Sequence, residues 1–159
     1  MSVAFTREED LEARAADLPD RPISAHPNLV TAEGLAALDV ALAEAQRAYV
    51  AAKAAGDVSV DRTALARATR ELRYWSARRG SAQLTQPALQ PDFVQFGAVV
   101  RIAREDGRVQ TFRIVGEDEA DPAAGLISYV SPLAQALLGK AIGETVTVAG
   151  SEAEVLDVA

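Results

Sequence analysis

Between Thr31 and Arg79 the apolar residues recur at helical spacing, and beyond Pro91 they alternate; this change of period constrains the fold more than any other feature. Leu35, Leu38, Leu42, Ala45, Tyr49 and Ala52 succeed one another at intervals of three and four, an a/d seam of nearly three heptads. Thr31 stands where an N-cap belongs, since a hydroxyl there can accept an amide of the first turn. Alanine is abundant and no breaker intervenes before Gly56. The run Gly56-Asp57-Val58-Ser59-Val60-Asp61 reads as a turn, with Asp61 or Thr63 capping a second helix. Leu65, Ala68, Leu72 and Trp75 form the seam of that helix between Ala64 and Arg79, with Gly80 as the residue that ends it. Two amphipathic helices joined by a short loop predict an antiparallel helical hairpin, a short coiled coil, with arms roughly 25 to 37 Å long at ~1.5 Å per residue.

The flanks are punctuated by proline. Residues 1–30 hold Pro19, Pro22 and Pro27 within nine positions, which predicts an extended leader, with room for an acidic helical turn at Arg7–Ala16. Gln83–Pro91 carries two prolines and no charge and reads as a linker. Alternation then predicts strands over 98–104 and 109–116, joined by Glu105-Asp106-Gly107-Arg108, where the Asp-Gly pair signals a hairpin. An acidic loop at 118–125 leads to a third strand at 126–130. Ser131 and Pro132 open a short helix that Gly139 closes, and 145–149 with 152–158 make a last hairpin. The expected class is α+β: a leader at 1–30, the helical hairpin at 31–82, a linker at 83–91, and a small, mostly antiparallel sheet with one short helix at 92–159.

Composition narrows the chemistry. The 159 residues allow one or two small domains. With no cysteine, disulfides, thiolate nucleophiles and cysteine-ligated zinc are excluded. The one histidine, His26, sits before Pro27 in the leader and reads as solvent-exposed rather than catalytic, and a two-histidine metal site cannot be built. No apolar stretch is long enough to span a membrane, and the N-terminus lacks the basic-then-apolar order of a secretory signal, so a cytoplasmic location is expected. The net charge of −7 argues against free duplex DNA as the main partner. It is unevenly spread: residues 28–86 hold eight Lys/Arg against six Asp/Glu, whereas 87–159 hold five against eleven. That split suggests two modules meeting different surfaces.

Phe96-Gly97-Ala98-Val99-Val100, the run FRIVGEDEAD at 112–121, ISYVSPLAQALLGKAIGETV at 127–146 and VLDV at 155–158 together resemble, in order and spacing, the C-terminal domain of the Gre-type bacterial transcription elongation factors. The resemblance covers about 65 residues. It implies an FKBP-like fold that docks on RNA polymerase at the rim of the secondary channel, and a coiled-coil hairpin that reaches down that channel. In such factors acidic tip residues help hold a catalytic Mg²⁺ while the polymerase hydrolyses backtracked RNA. The hairpin here resembles the family more loosely. Ala32-Glu33-Gly34-Leu35 is similar to the start of the family's first helix, and Asp57 aligns with the first tip carboxylate. The second tip carboxylate falls on Val60, and the first arm is shorter by roughly two heptads, ~20 Å of reach.

The resemblance orders the candidate residues. At the tip, Asp57 and Asp61 lie four positions apart, and a shared Mg²⁺ in the polymerase site wants carboxylate oxygens; alternatively Asp61 caps the second helix and Asp57 solvates the turn. Arg62, Arg67, Arg70 and Arg73, with Arg78 and Arg79 beyond them, either contact nascent RNA or the polymerase by charge, or form a solvated face with pairs such as Arg67–Glu71. Glu71 is the only acid on that helix after Asp61, which tips the balance toward contact. Glu117, Asp118, Glu119 and Asp121 lack the spacing of a calcium loop and read as a solvated loop or part of the docking face, together with Ser131, Pro132 and Leu133. Trp75 fits the core seam, and Tyr74 points elsewhere, free to pack on the C-terminal domain. The expectation is therefore a protein that is not itself an enzyme, with no cofactor, small-molecule substrate, membrane or metal of its own, and core RNA polymerase as partner. A prolyl isomerase, or an adaptor dimerising through its hairpins, are the alternatives.

Overall fold

The computed structural model describes residues 18–55 and 62–159, so Asp57, Asp61 and the expected tip turn lie outside the described residues, as does the acidic turn expected at 7–16. The chain divides into two compact units. The first holds the described residues up to 25 and those of 37–81; the second holds 26–36 and 82–159.

The first unit is built on two helices, α1 at Ala32–Ala55, whose opening turn is counted with the second unit, and α2 at Arg62–Ser81. Leu38 and Ala45 of the first seam and Ala68 of the second are buried, as the heptad spacing requires. An ion pair between Asp39, near the start of α1, and Arg79, near the end of α2, shows that the helices run antiparallel. Helix α2 is longer at both ends than its seam suggests. Thr63 lies within its first turn rather than capping it, and Gly80 lies within its last. There the Ser81 hydroxyl donates to the Ala77 carbonyl at 2.9 Å and holds the final turn closed. Tyr74 and Trp75 pack edge to face with centroids 4.9 Å apart. The leader lies along this helix: the Arg21 guanidinium sits 3.7 Å over the Tyr74 ring, so Tyr74 is taken up within the first unit.

The second unit is a five-stranded sheet. Its strands are β3 (Val99–Arg104), β4 (Val109–Val115), β5 (Leu126–Ser128), β6 (Thr145–Val148) and β7 (Ser151–Val158), in the order β5-β4-β3-β7-β6. Three pairings are antiparallel; β4–β5 is parallel, with Ile114 opposite Ile127. In β3 alternation buries Val100 and Ile102 and exposes Val99 and Arg101. In β7 a bulge opposite Arg101–Ile102 shifts the register, so Ala153, Val155 and Val158 all face the core although the last two are three residues apart. The β3–β4 turn is fixed by Gly107 at φ 84° and by Asp106, which accepts the Arg108 amide at 3.0 Å. Helix α3, Pro132–Leu137, lays Ala134 and Leu137 against the sheet.

Two stretches expected to be irregular are paired. Leu29–Val30 (β1) and Gln83–Leu84 (β2) form a two-stranded parallel ladder, extended by the Gln83 amide to Asn28 O at 2.8 Å and the Thr85 amide to Val30 O at 2.9 Å. The leader's end and the linker's start therefore belong to the second unit, and Leu29 packs on its core. Among the described residues no helix is long and apolar enough to cross a membrane.

Candidate docking and contact surfaces

The acidic loop and the N-terminus of α3 flank β5, an edge strand of the sheet. On the loop side, Asp121 closes onto Leu126 through two backbone bonds of 2.8 and 3.0 Å, bracketing a 3₁₀ turn at Pro122–Ala124. Gly125, at φ 79°, completes that turn. The Asp121 side chain is exposed. On the helix side, Ser131 Oγ accepts the Ala134 amide at 3.3 Å and Pro132 occupies the first helical position with its ring in solvent. Leu133 is half-buried and packs on the core. Ser131 and Leu133 thus shape the face from within, and Pro132 and Asp121 are its outward groups.

Glu119 has a different task from the one its position in an acidic run suggests. Its Oε2 accepts the Thr31 hydroxyl at 2.6 Å, and Thr31 Oγ1 in turn accepts the Gly34 amide at 3.0 Å. Thr31, 2 % exposed, is the expected N-cap, and Glu119 fixes its hydroxyl from 88 residues away. The four carboxylates of the loop are not gathered into one site. Among the described residues no group of three or more Asp, Glu or His could hold a metal ion.

In the same unit, Glu33 in the first turn of α1 accepts from Arg113 Nη2 at 3.3 Å. Its own backbone amide, and then the Arg113 guanidinium, hold the Glu33 carboxyl below the usual glutamate value. A depressed folded-state value means that this carboxylate favours the folded state above the ordinary glutamate range. That contribution is lost as pH falls through the lowered value.

The arginines of α2 divide into three groups. Arg73 pairs with Asp20 at 3.1 Å and Arg79 with Asp39, so acids from the leader and from α1 supply what α2 lacks. Glu71 is bonded to Arg21 at 2.8 Å and to Trp75 Nε1 at 3.2 Å, in place of the expected pair with Arg67. Arg78 is 2 % exposed and is a structural residue. Arg62, Arg67 and Arg70 make no ion pair among the described residues. Arg62, Arg70 and Arg73 line one cleft of about 420 Å³ with Leu65, Ala66 and Thr69, closed by Leu18 and Asp20; Arg67 does not line it. Positions 62, 66, 69, 70 and 73 share a helix face, so the spacing itself points to that subset. The part played by Leu18 and Asp20 has no local sequence signal.

The family model described as "Transcription elongation factor, GreA/GreB, C-term" matches residues 89–159, which contain the whole five-stranded sheet and α3. Over these residues the chain is similar to the C-terminal domain of the GreA/GreB factors. Transcription elongation factor GreB of Neisseria meningitidis serogroup B is 39 % identical over 93 residues, 57 % of this chain and 57 % of that protein. GreA of Rhizobium etli is 42 % identical over 93 residues, 55 % of this chain and 58 % of that one. GreA of Alkalilimnicola ehrlichii is 55 % identical over 56 residues, 35 % of each chain. The chain thus spans at most 58 % of the length of these GreA and GreB relatives. Superposition on GreA factor homolog 1 (Gfh1) of Thermus thermophilus gives a TM-score of 0.39 at 20 % identity over 84 % of this chain and 99 % of that one, too low to bear on fold or function. The GreA/GreB match includes Asp118, Glu119, Asp121, Ser131, Pro132 and Leu133, and it leaves out Arg62, Arg67, Arg70 and Arg73.

Proposed function

We propose that this chain is a Gre-type accessory factor that docks on core RNA polymerase near the secondary channel through its second unit and modulates transcript elongation in the cytoplasm. The observation that carries the reading is the GreA/GreB C-terminal match over 89–159. Its curated relatives are named transcription elongation factors. The face around β5 is the docking candidate, with the exposed Asp121 and Pro132 as its outward groups and the half-buried Asp118 earlier in the same acidic run. The arginine face of α2 is the candidate for nascent RNA or an acidic polymerase wall, through charge. The chain is not itself the catalyst in this reading. Any hydrolysis belongs to the polymerase and its own Mg²⁺.

Stimulation of cleavage is weak or absent. A second Mg²⁺ held in a polymerase site takes hard oxygen ligands, and Val60 stands where the resemblance puts the second tip carboxylate. At ~1.5 Å per residue, the 24 residues of α1 make an arm of about 36 Å. An isomerase reading finds less support, because the core aromatics Phe96 and Tyr129 pack edge to face at 5.7 Å and the cleft in this unit beside Thr31 and Arg113 is lined by no aromatic residue. The test is a transcript-cleavage assay on stalled complexes, with and without a cleavage-active GreA. Added alone, the protein should leave backtracked RNA at its original length; added in excess, it should slow the active factor by competing for its place. Robust shortening of the RNA that disappears in Asp57→Ala would overturn the reading.

A further inference from the structure

Arginines outnumber carboxylates in the cleft of the first unit. Arg62, Arg70 and Arg73 line it, and Asp20 is the one carboxylate among its lining residues. Asp20 meets Arg73 at 3.1 Å, which leaves Arg62 and Arg70 without an ion pair among the described residues. Arg70 Nε is also buried and has no hydrogen-bond partner among the described residues. A buried guanidinium donor left unpaired is costly, and an anion that accepts from it removes that cost. We propose that the cleft binds the dianionic phosphoryl group of a phosphomonoester, held between Arg62 and Arg70.

Space, charge and donor chemistry select that group. Ala66 lies one helical turn from Arg62 and one from Arg70 on the same face, so the two guanidiniums flank a position with no side chain beyond Cβ. The charge left unmet is that of two guanidiniums, and a phosphomonoester carries about −1.5 to −2 at pH 7 on three acceptor oxygens. A phosphodiester offers a single negative charge. The donors are the arginines themselves, because the Thr69 hydroxyl already donates to the Leu65 carbonyl at 2.7 Å. A guanidinium presents its N–H groups as a planar fork that matches two phosphate oxygens. Leu18 and Leu65 give the cleft apolar walls, which suit the organic part of an ester. The site narrows the contact proposed above for the arginine face of α2 and rests on that reading. It is tested without polymerase, so its failure leaves docking through the second unit standing.

Methyl phosphate, dimethyl phosphate and succinate are titrated into the full-length protein while the Arg70 Nε–H and the backbone amides of 62–73 are followed by NMR. Methyl phosphate should shift the Arg70 Nε–H resonance and bind at least fivefold tighter than the diester or the dicarboxylate. Arg62→Gln should weaken it at least fivefold, read from the backbone amides. So should Arg70→Lys, which keeps the charge but removes the Nε–H. Arg101→Gln removes one positive charge from an exposed position of β3 and should leave the affinity unchanged. Equal binding of all three anions overturns the proposal, as does methyl phosphate binding that Arg62→Gln and Arg70→Lys leave undiminished or that leaves the Arg70 Nε–H unshifted. Hexaribonucleotides with a 5′-phosphate or a 5′-hydroxyl then separate two sources of the group. Tighter binding of the phosphorylated strand supports the site as a receptor for an RNA end; methyl phosphate binding with no preference between the strands supports it as a receptor for a free phosphorylated compound.

Discussion

Gly116→Ala should destabilise the second unit by about 3 kcal/mol, at the upper end of what overpacking a closed site costs. Gly116 lies just after β4, where β1 crosses the end of the sheet, and a Cβ there would run into the Leu29 carbonyl oxygen, with Leu29 C at 3.5 Å and Val30 Cα at 3.7 Å. These are backbone atoms of a paired strand, so they cannot swing aside. The ladder between β1 and β2 must shift, and Leu29 must leave the core. Gly34→Ala provides the control. Its Cβ would lie 2.6 Å from Glu119 Oε2, the free end of a flexible side chain. Losing the Thr31–Glu119 bond costs about 1 kcal/mol, and alanine in a helical turn returns about as much. Gly34→Ala should therefore fall within about 1 kcal/mol of wild type. Urea unfolding monitored by circular dichroism measures both; equal midpoints for the two variants would refute the crossing at Gly116.

Leu137→Ala is the second large effect, about 3 kcal/mol. Leu137 is 0 % exposed and, with Ala134, makes up the fully buried part of the face by which a six-residue helix is held, beside the half-buried Leu133. A helix that short has no stability of its own in water, since isolated helices shorter than about 12 residues are marginal. Removing the side chain should open a cavity and loosen α3 together. Hydrogen exchange separates the two consequences: the Leu138 amide, bonded to Ala134 O at 2.9 Å, and the Lys140 amide, bonded to Leu137 O at 3.0 Å, should lose protection beyond the fall in global stability. Protection falling only in step with global stability would mean that α3 is held by something other than Leu137.

The parts of this fold that the sequence discloses are those with a repeating pattern or a local turn code. The heptad seam around Leu38 and Ala45, the Asp106-Gly107 turn and the Ser131-Pro132 helix start each lie within a few residues of their cause. The features that the sequence hides are long-range or too short to repeat. Strands β1 and β2 have two residues each, and no periodicity can be read from two positions. The parallel β4–β5 pair ends in a three-residue strand, and the β7 bulge breaks the alternation that places Val158 in the core. The candidate surfaces show the same division. Six arginines on and beside α2 are plain in the sequence, but Asp20 and Asp39, which neutralise two of them, come from other segments. Glu119 looks like one more surface acid until Thr31 is found beside it.

If the face flanking β5 grips RNA polymerase, a charge reversal on its outermost acid should release the enzyme without unfolding the domain. Co-purification of core polymerase with the full-length protein decides this, comparing wild type with Asp121→Lys, an exposed site whose side chain takes no part in the core. Wild type should retain the polymerase, and Asp121→Lys should lose at least ten-fold in apparent affinity while unfolding at the same urea concentration. A wild-type protein that fails to retain core polymerase, or an Asp121→Lys protein that retains it undiminished, would refute docking through this face.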